Sequence, residues 1–421
     1  MKQYIPRLLE ATIEEKLDAK GCIVIEGPKW SGKSTTAKRF AKTVVELQKK
    51  KVLKDYQMFV DMDDENLFAG ERPIMFDEWQ KIPELWDYIR AEVDDTGARG
   101  QFILTGSAKP IEDKERHSGV GRIAKIKMRT MSLWESRDST GSVSLAELFE
   151  GVNKISGRNE HTLNRLAFLV CRGGWPDIMY DKEKAALQAS FDYLDVLLNE
   201  DITKVDNIVR DPKRAKTILK AYARNISTPA RMTTIHGDVE PNDAVLDPKT
   251  LDSYITAFEK LFVIDEIEAW SPSLRSRTVI RTTNIRQLAD PSIVTAVLEI
   301  SPSDLISDIR TFGLIFETMA IRDLRTYAEC LGGKVYQYHD ANGLEADAII
   351  HLNNGKWGAA EIKLGGDDNI EEAAKNLLKL KEKVNTDKMK EPAFLMIVTG
   401  TQNAYKRPDG VFVVPIGCLK N

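Results

Sequence analysis

Three short apolar runs near the start of the chain end in polar or glycine residues: Cys22-Ile23-Val24-Ile25 before Gly27, Ile74-Met75-Phe76 before Asp77-Glu78, and Phe102-Ile103-Leu104 before Thr105-Gly106-Ser107. Continuous apolar runs of this length between polar boundaries predict strands buried on both faces, as in a parallel sheet. From Arg122 to Arg129 the pattern alternates instead, with Ala124, Ile126 and Met128 set against Lys125 and Lys127. That period of two predicts a half-exposed edge strand. Helical spacing comes between the runs. Ala37, Phe40, Ala41, Val44 and Val45 predict a helix after the first strand, and Ile82, Leu85, Trp86, Ile89 and Val93 predict another after the second.

Further along, residues 137–160 are polar and rich in Gly and Ser, which reads as a loop and a unit boundary. Leu163, Leu166, Ala167 and Val170 follow at helical spacing, and Gly173-Gly174-Trp175-Pro176-Asp177 supplies a helix C-cap and turn. From Asp211 to Thr283 three helices are expected, one over Lys213 to Arg224, a short one after Pro229, and one carrying Leu251, Tyr254, Ile255 and Phe258. Strand-like Phe262–Ile267 and Thr278–Ile280 complete a winged-helix-like pattern. The final third reads as a helix from Leu314 to Tyr327, three strands, a helix and two strands, with a hairpin at Asn342-Gly343.

The first strand runs into Gly27-Pro28-Lys29-Trp30-Ser31-Gly32-Lys33-Ser34, followed by Thr35, which fits the phosphate-loop pattern G-x-x-x-x-G-K-[ST]. The two glycines let backbone N–H groups converge on phosphate oxygens, Lys33 reaches the β- and γ-phosphates, and Ser34 offers a hydroxyl to Mg²⁺. Asp77 is expected to hold Mg²⁺ and Glu78 to polarise the attacking water, the alternative being a solvated turn. Thr105 and Ser107 end the third strand where a polar side chain can sense the γ-phosphate. In series these elements resemble the AAA+ ATPases, which implies ATP as ligand and a sensor at Thr105 or Ser107. The resemblance also sets Arg122 where an arginine finger is carried, the alternative being a surface arginine, and a finger acting between subunits would imply a homo-oligomer. Gly173-Gly174-Trp175-Pro176 resembles an element of prokaryotic AAA+ ATPases that carry the domain of unknown function 4143 after the ATPase.

Composition narrows the partners. With 421 residues, two or three domains are expected, and a net charge of −4 gives no global attraction to nucleic acid. Any such contact needs a local basic patch. Arg275, Arg277, Arg281 and Arg286 on the expected wing are candidates, whereas Asp247, Asp252 and Glu259 make the preceding helix a poor match to a polyanion. A structural or oligomerisation role for this unit is the alternative. The four cysteines form no C-x-x-C pair, and neither a signal peptide nor a membrane span is evident, so a reducing cytoplasm is expected.

On the last strands, period two puts Glu361 and Lys363 on one face, where a neighbouring strand can bring Asp347 beside them. Two carboxylates and a lysine suit a divalent metal and a phosphate under attack. The arrangement resembles the PD-(D/E)xK nucleases, with Ala346 standing where the pattern has proline. The resemblance implies Asp347 and Glu361 as ligands for Mg²⁺ or Mn²⁺, Lys363 as the group orienting water, Glu317 as the first-helix carboxylate, and DNA or RNA as substrate. The competing reading is a signalling or assembly ATPase whose last domain binds a partner without cleavage. A small-molecule kinase is disfavoured because no arginine-rich lid follows the phosphate loop. The expected fold is α/β throughout: a P-loop NTPase parallel sheet of AAA+ type over 1–160, a helical and winged-helix-like unit over 161–300, and a small α/β nuclease-like unit over 301–421.

Overall fold

The structure is a computed structural model describing residues 4–109, 119–206, 208–243, 245–270, 283–340, 342–384 and 389–421. The apolar runs form β1 (Cys22–Glu26), β3 (Ile74–Asp77) and β4 (Phe102–Gly106), and the alternating run forms β5 (Ile123–Lys127). With β2 (Thr43–Glu46) they make a five-stranded, wholly parallel sheet in the order β2-β3-β4-β1-β5. Val24, Phe76, Phe102 and Leu104 fill one face with Trp86 and Ile89 of the helix Leu85–Thr96, while Ile23, Ile25, Met75 and Ile103 pack on Ile13 of the first helix, Glu10–Ala19. Cover on both faces is why these strands read as unbroken apolar runs.

The strand β2 corrects one expectation. The helix after the phosphate loop is short, Lys33–Ala37, and Val44 and Val45 lie in a strand beside β3 instead of continuing it. Thr43-Val44-Val45 is β-branched, and pairing with β3 favours that over a longer helix.

Residues 137–160 also depart from a plain loop. They contain β6 (Val143–Ser144), the helix Leu145–Phe149 and β7 (Gly157–Arg158), and Val143, Leu145 and Leu148 are buried. β7 pairs with β12 (Asn403–Lys406), and β6 pairs with β14 (Leu419–Lys420). A segment just after the first sheet is therefore bonded to the far end of the chain. β7 is the edge of a seven-stranded mixed sheet, β7-β12-β13-β11-β10-β9-β8, built otherwise from β8 (Gly333–His339), β9 (Glu345–Leu352), β10 (Trp357–Lys363), β11 (Leu395–Thr399) and β13 (Phe412–Pro415).

Between the sheets lie the helices Leu163–Arg172, Glu183–Val196, Pro212–Arg224, Met232–Val239, Pro248–Lys260 and Pro291–Leu298. The helices expected between 211 and 260 are present. Beyond them, the strand expected over Phe262–Ile267 is reduced to single antiparallel bridges from Ile264 and Ile267 to Leu288 and Ile285, while the strand expected over Thr278–Ile280, together with Arg275, Arg277 and Arg281, lies outside the described residues. Arg286 is described and is not available to nucleic acid: it is buried, donates to the Ala230 carbonyl and pairs with Glu266. The helix Ile309–Cys330 then crosses to the last sheet, and one buried apolar cluster runs from Trp175 and Tyr222 through Phe258 and Phe316 to Met396. Among the described residues no helix is long and apolar enough to cross a membrane.

Candidate functional site

Because the first sheet is parallel, β1, β3 and β4 all deliver their polar ends to one edge, where ligands of open α/β sheets bind. The phosphate loop leaves β1 there. Gly27 is required by close approach: a Cβ on it would lie 2.0 Å from the Met128 carbonyl oxygen. Gly32 has φ +93°, in the left-handed region that admits glycine without strain. Trp30 adopts a positive φ of 69° without being glycine, a strained conformation held by stacking on Trp175 at 5.8 Å between ring centroids.

The carboxylate of Asp77 organises the site. It accepts hydrogen bonds from the Ser34 hydroxyl at 2.6 Å, the Thr105 hydroxyl at 2.6 Å and the Gln48 amide at 3.0 Å. Glu78 follows at φ +60°, and its carboxylate accepts from Ser107 at 2.8 Å and from Gln80. Thus the two expected sensors divide, Thr105 serving Asp77 and Ser107 serving Glu78. Lys33 is buried and donates to the Pro28 carbonyl at 2.7 Å; burial pushes its pKa down to about 8, against the upward pull of Glu78 and Asp77. The Ser31 hydroxyl is also buried and has no hydrogen-bond partner among the described residues. An ammonium spent on its own loop and an unsatisfied hydroxyl in the same turn fit an anion that would take up both.

A cavity of about 610 Å³ opens over the loop, lined by Tyr4, Lys29, Trp30, Lys33, Thr35, Glu78 and Pro176 among others. A second, of about 720 Å³, adjoins it through Lys29, Ser34, Glu78 and Ser107 and reaches Asp201 and Leu261 of the helical unit. Lys29 pairs with Asp201 at 3.0 Å, and the ring of Pro176 lies against Gly32. The element Gly173–Asp177 therefore does more than cap its helix. Gly174 N–H donates to buried Asp290 at 3.0 Å, and Trp175 donates to Ser292 at 2.9 Å, which fixes the tryptophan that meets the loop.

Arg122 is the residue placed elsewhere. It precedes β5, whose first residue pairs with Cys22 at the start of β1, and so sits a full strand length from the loop. Its guanidinium pairs with Asp94 at 2.6 Å. It does not reach a phosphate held by its own chain.

Sequence reasoning missed Arg7, Gln48 and Asp201. Arg7 is buried and donates to the Ser31 carbonyl at 2.8 Å, the Arg129 carbonyl at 2.9 Å and Glu135 at 2.9 Å, thereby bracing the loop from the N-terminal segment. The only cue is an arginine set among Tyr4, Ile5, Leu8 and Leu9. None of the three belongs to a spaced motif.

On the last sheet, β9 and β10 pair antiparallel and bring the expected groups together. Lys363 lies 2.7 Å from Glu361 and 3.4 Å from Asp347, whose carboxylate also accepts the Ile362 N–H at 2.7 Å. Burial, and then the Asp347 charge, push both Glu361 and Glu317 well above the usual carboxylate range. Burial works against the Lys363 charge, yet Asp347 and Glu361 outweigh it and raise its pKa. Glu361 Oε1 is buried with no hydrogen-bond partner among the described residues. No group of three carboxylate, histidine or cysteine side chains spaced to hold a metal ion is found among those residues.

Three family profiles match the sequence: "AAA domain" over residues 19–136, "Domain of unknown function (DUF8612)" over 163–304, and "Domain of unknown function (DUF4143)" over 312–419. No curated protein matches it. Among solved structures, the chain is similar to a Walker-type ATPase of Pyrococcus abyssi, PABY2304, at 15% identity, covering 70% of this chain and 96% of that one with a TM-score of 0.42. It is also similar to the STAND protein PH0952 of Pyrococcus horikoshii, a signal transduction ATPase with a tetratricopeptide repeat sensor, at 12% identity over 78% and 50% of the two chains, with a TM-score of 0.24.

Proposed function

We propose that a chain whose residues 19–136 form an AAA-family P-loop ATPase domain uses ATP binding and hydrolysis there to switch a nucleic-acid-directed site on its last sheet. The observation that carries the ATPase half is the shared carboxylate of Asp77, bonded to Ser34 and Thr105 with Glu78 beside it at the cavity wall. Lys33 and the loop N–H groups would bind the phosphates, and Ser34 with Asp77 would hold Mg²⁺. That ion supplies charge neutralisation on the phosphate oxygens when bound. Glu78 is the base for water, held in place by Ser107 and Gln80. Glu78→Gln should keep nucleotide bound while stopping turnover, because the amide fills the site without accepting a proton. Loss of binding together with turnover would reject this role.

The switch runs through the contacts between loop and helices, Trp30 on Trp175 and Lys29 on Asp201. Nucleotide that binds one arrangement of these contacts more tightly shifts the population toward it. On the last sheet, the unsatisfied Glu361 Oε1 beside Asp347 is the feature that favours a divalent cation, Mg²⁺ or Mn²⁺; the described carboxylates are not spaced as a metal site, so Glu361, Asp347 and Glu317 would have to close around the ion. Lys363 would stabilise charge on a phosphodiester under attack.

A second reading, partner binding without cleavage, is favoured by Lys363 already neutralising both carboxylates. Two measurements divide them: cleavage of single- and double-stranded DNA and RNA with Mg²⁺ or Mn²⁺, with and without ATP, and the melting temperature in millimolar Mn²⁺. Cleavage, and a thermal gain abolished by Asp347→Ala with ATPase intact, support the nuclease reading. Neither effect leaves partner binding.

A further inference from the structure

The helix Pro212–Arg224 is amphipathic in an unequal way. Ala215, Ile218, Leu219 and Tyr222 are buried, while Lys213, Lys216, Lys220 and Arg224 are exposed. Their spacing of three, four and four residues keeps all four cations within about 80° of arc, at roughly 100° per residue. The stripe is about 16 Å long, at 1.5 Å of rise per residue. It lines a groove of about 390 Å³ whose other side chains include Thr217 and Asn242.

Two anions also border the groove. Glu299 pairs with Lys216 at 2.7 Å, and Asp238 accepts a hydrogen bond from Asn225 at 2.7 Å. Lys213, Lys220 and Arg224 make no ion pair among the described residues. Like charges one turn apart destabilise a helix by about 0.2–0.5 kcal/mol per pair, so the stripe is a small cost to the isolated protein. In a chain of net charge −4 such a patch is local, and it is the kind of surface that a polyanion neutralises.

We propose that this face binds the phosphodiester backbone of a nucleic-acid strand through Lys213, Lys216, Lys220 and Arg224. One strand carries a charge about every 3.4 Å, so the stripe spans roughly five phosphates. For its partner class the proposal rests on the nucleic-acid reading above; for its place it rests on this helix alone. It also moves the contact away from the expected wing arginines, of which the described one, Arg286, is buried in an ion pair.

The test compares two triple variants of the full chain with equal charge change: Lys213→Gln/Lys220→Gln/Arg224→Gln, and Lys50→Gln/Lys51→Gln/Lys54→Gln on an exposed helix of the first domain. Binding of fluorescent single-stranded DNA, duplex DNA and RNA is followed by anisotropy from 50 to 200 mM salt. The first variant should lose about tenfold or more in affinity at the lowest salt and about two to three from the slope of log K against log salt, while the second stays near wild type. Both should melt and turn over ATP as wild type does. Equal losses in the two variants, no loss in the first, or no binding by wild type would overturn the proposal. Tighter binding of poly-glutamate than of any nucleic acid would overturn it too, in favour of an acidic protein partner. Asp347→Ala should still bind through the stripe, so a failure to cleave is distinguishable from a failure to bind.

Discussion

Lys33 shows how much a single residue's setting adds to its identity. Its ammonium is buried, and burial lowers its pKa to about 8 in the free protein. Phosphates favour the charged form, so nucleotide affinity should be level below pH 8 and fall above it, by up to tenfold per pH unit, as the free lysine loses its proton. Isothermal titration from pH 7 to 9.5 measures this. Proton uptake on binding should appear above pH 8, and a flat profile would mean that Lys33 does not meet the phosphates. Lys33→Ala should abolish turnover at every pH. Arg122 makes the opposite point: it holds the sequence position expected of a finger, but its contact is Asp94 of the helix Leu85–Thr96, a strand length from the loop. Surface pairs of this kind are worth about 0–1 kcal/mol.

The element that joins loop to helices is Gly173–Asp177. Gly173 has φ +74°, and a Cβ there would lie 2.3 Å from Asp290 Oδ1 and 2.4 Å from Ser292 Oγ. Those two side chains also fix Gly174 and Trp175, so Gly173→Ala should displace the tryptophan as well as strain the backbone. A loss of about 1–3 kcal/mol in urea unfolding is expected, together with weaker nucleotide binding. Trp175→Phe, which keeps a ring against Trp30, should cost less in binding. If Gly173→Ala lowers stability but leaves nucleotide affinity unchanged, the element is a helix cap and no more.

Across the whole molecule, the first sheet is tied to the rest through Asp265. Its carboxylate meets Lys127 at 2.7 Å and Arg129 at 2.9 Å, from the end of β5 and beyond, and Arg325 at 3.0 Å from the long helix that supports the last sheet. Burial opposes the Asp265 charge, but the three cations outweigh it and hold its pKa far below the usual range. Asp265→Ala would leave three partly buried cations without their shared anion and should cost about 3–5 kcal/mol in unfolding free energy. If ATP is felt at the last sheet through this contact, the effect of ATP on metal-induced stabilisation should vanish as well. Retained coupling in a folded variant would place the route elsewhere, with the Trp30–Trp175 stack the next to test.

Strands β1, β3 and β4, the phosphate loop and the Asp77-Glu78 pair were legible in the sequence because each is a local pattern: an apolar run closed by the residue types its chemistry needs. The same holds for Asp347, Glu361 and Lys363, whose shared face follows from period two and one hairpin. Val44 and Val45 could not be assigned, since three β-branched residues in a helical register become a strand only when β3 lies alongside. Nor could β6 and β7, whose partners lie more than 240 residues away. Arg7, Gln48 and Asp201 acquire roles solely from what folding sets next to them. Local sequence thus determined which candidate side chains the chain carries at its strand ends, and the tertiary structure decided which of those groups meet, because hydrogen bonds and ion pairs act over a few ångströms and have no memory of separation along the chain.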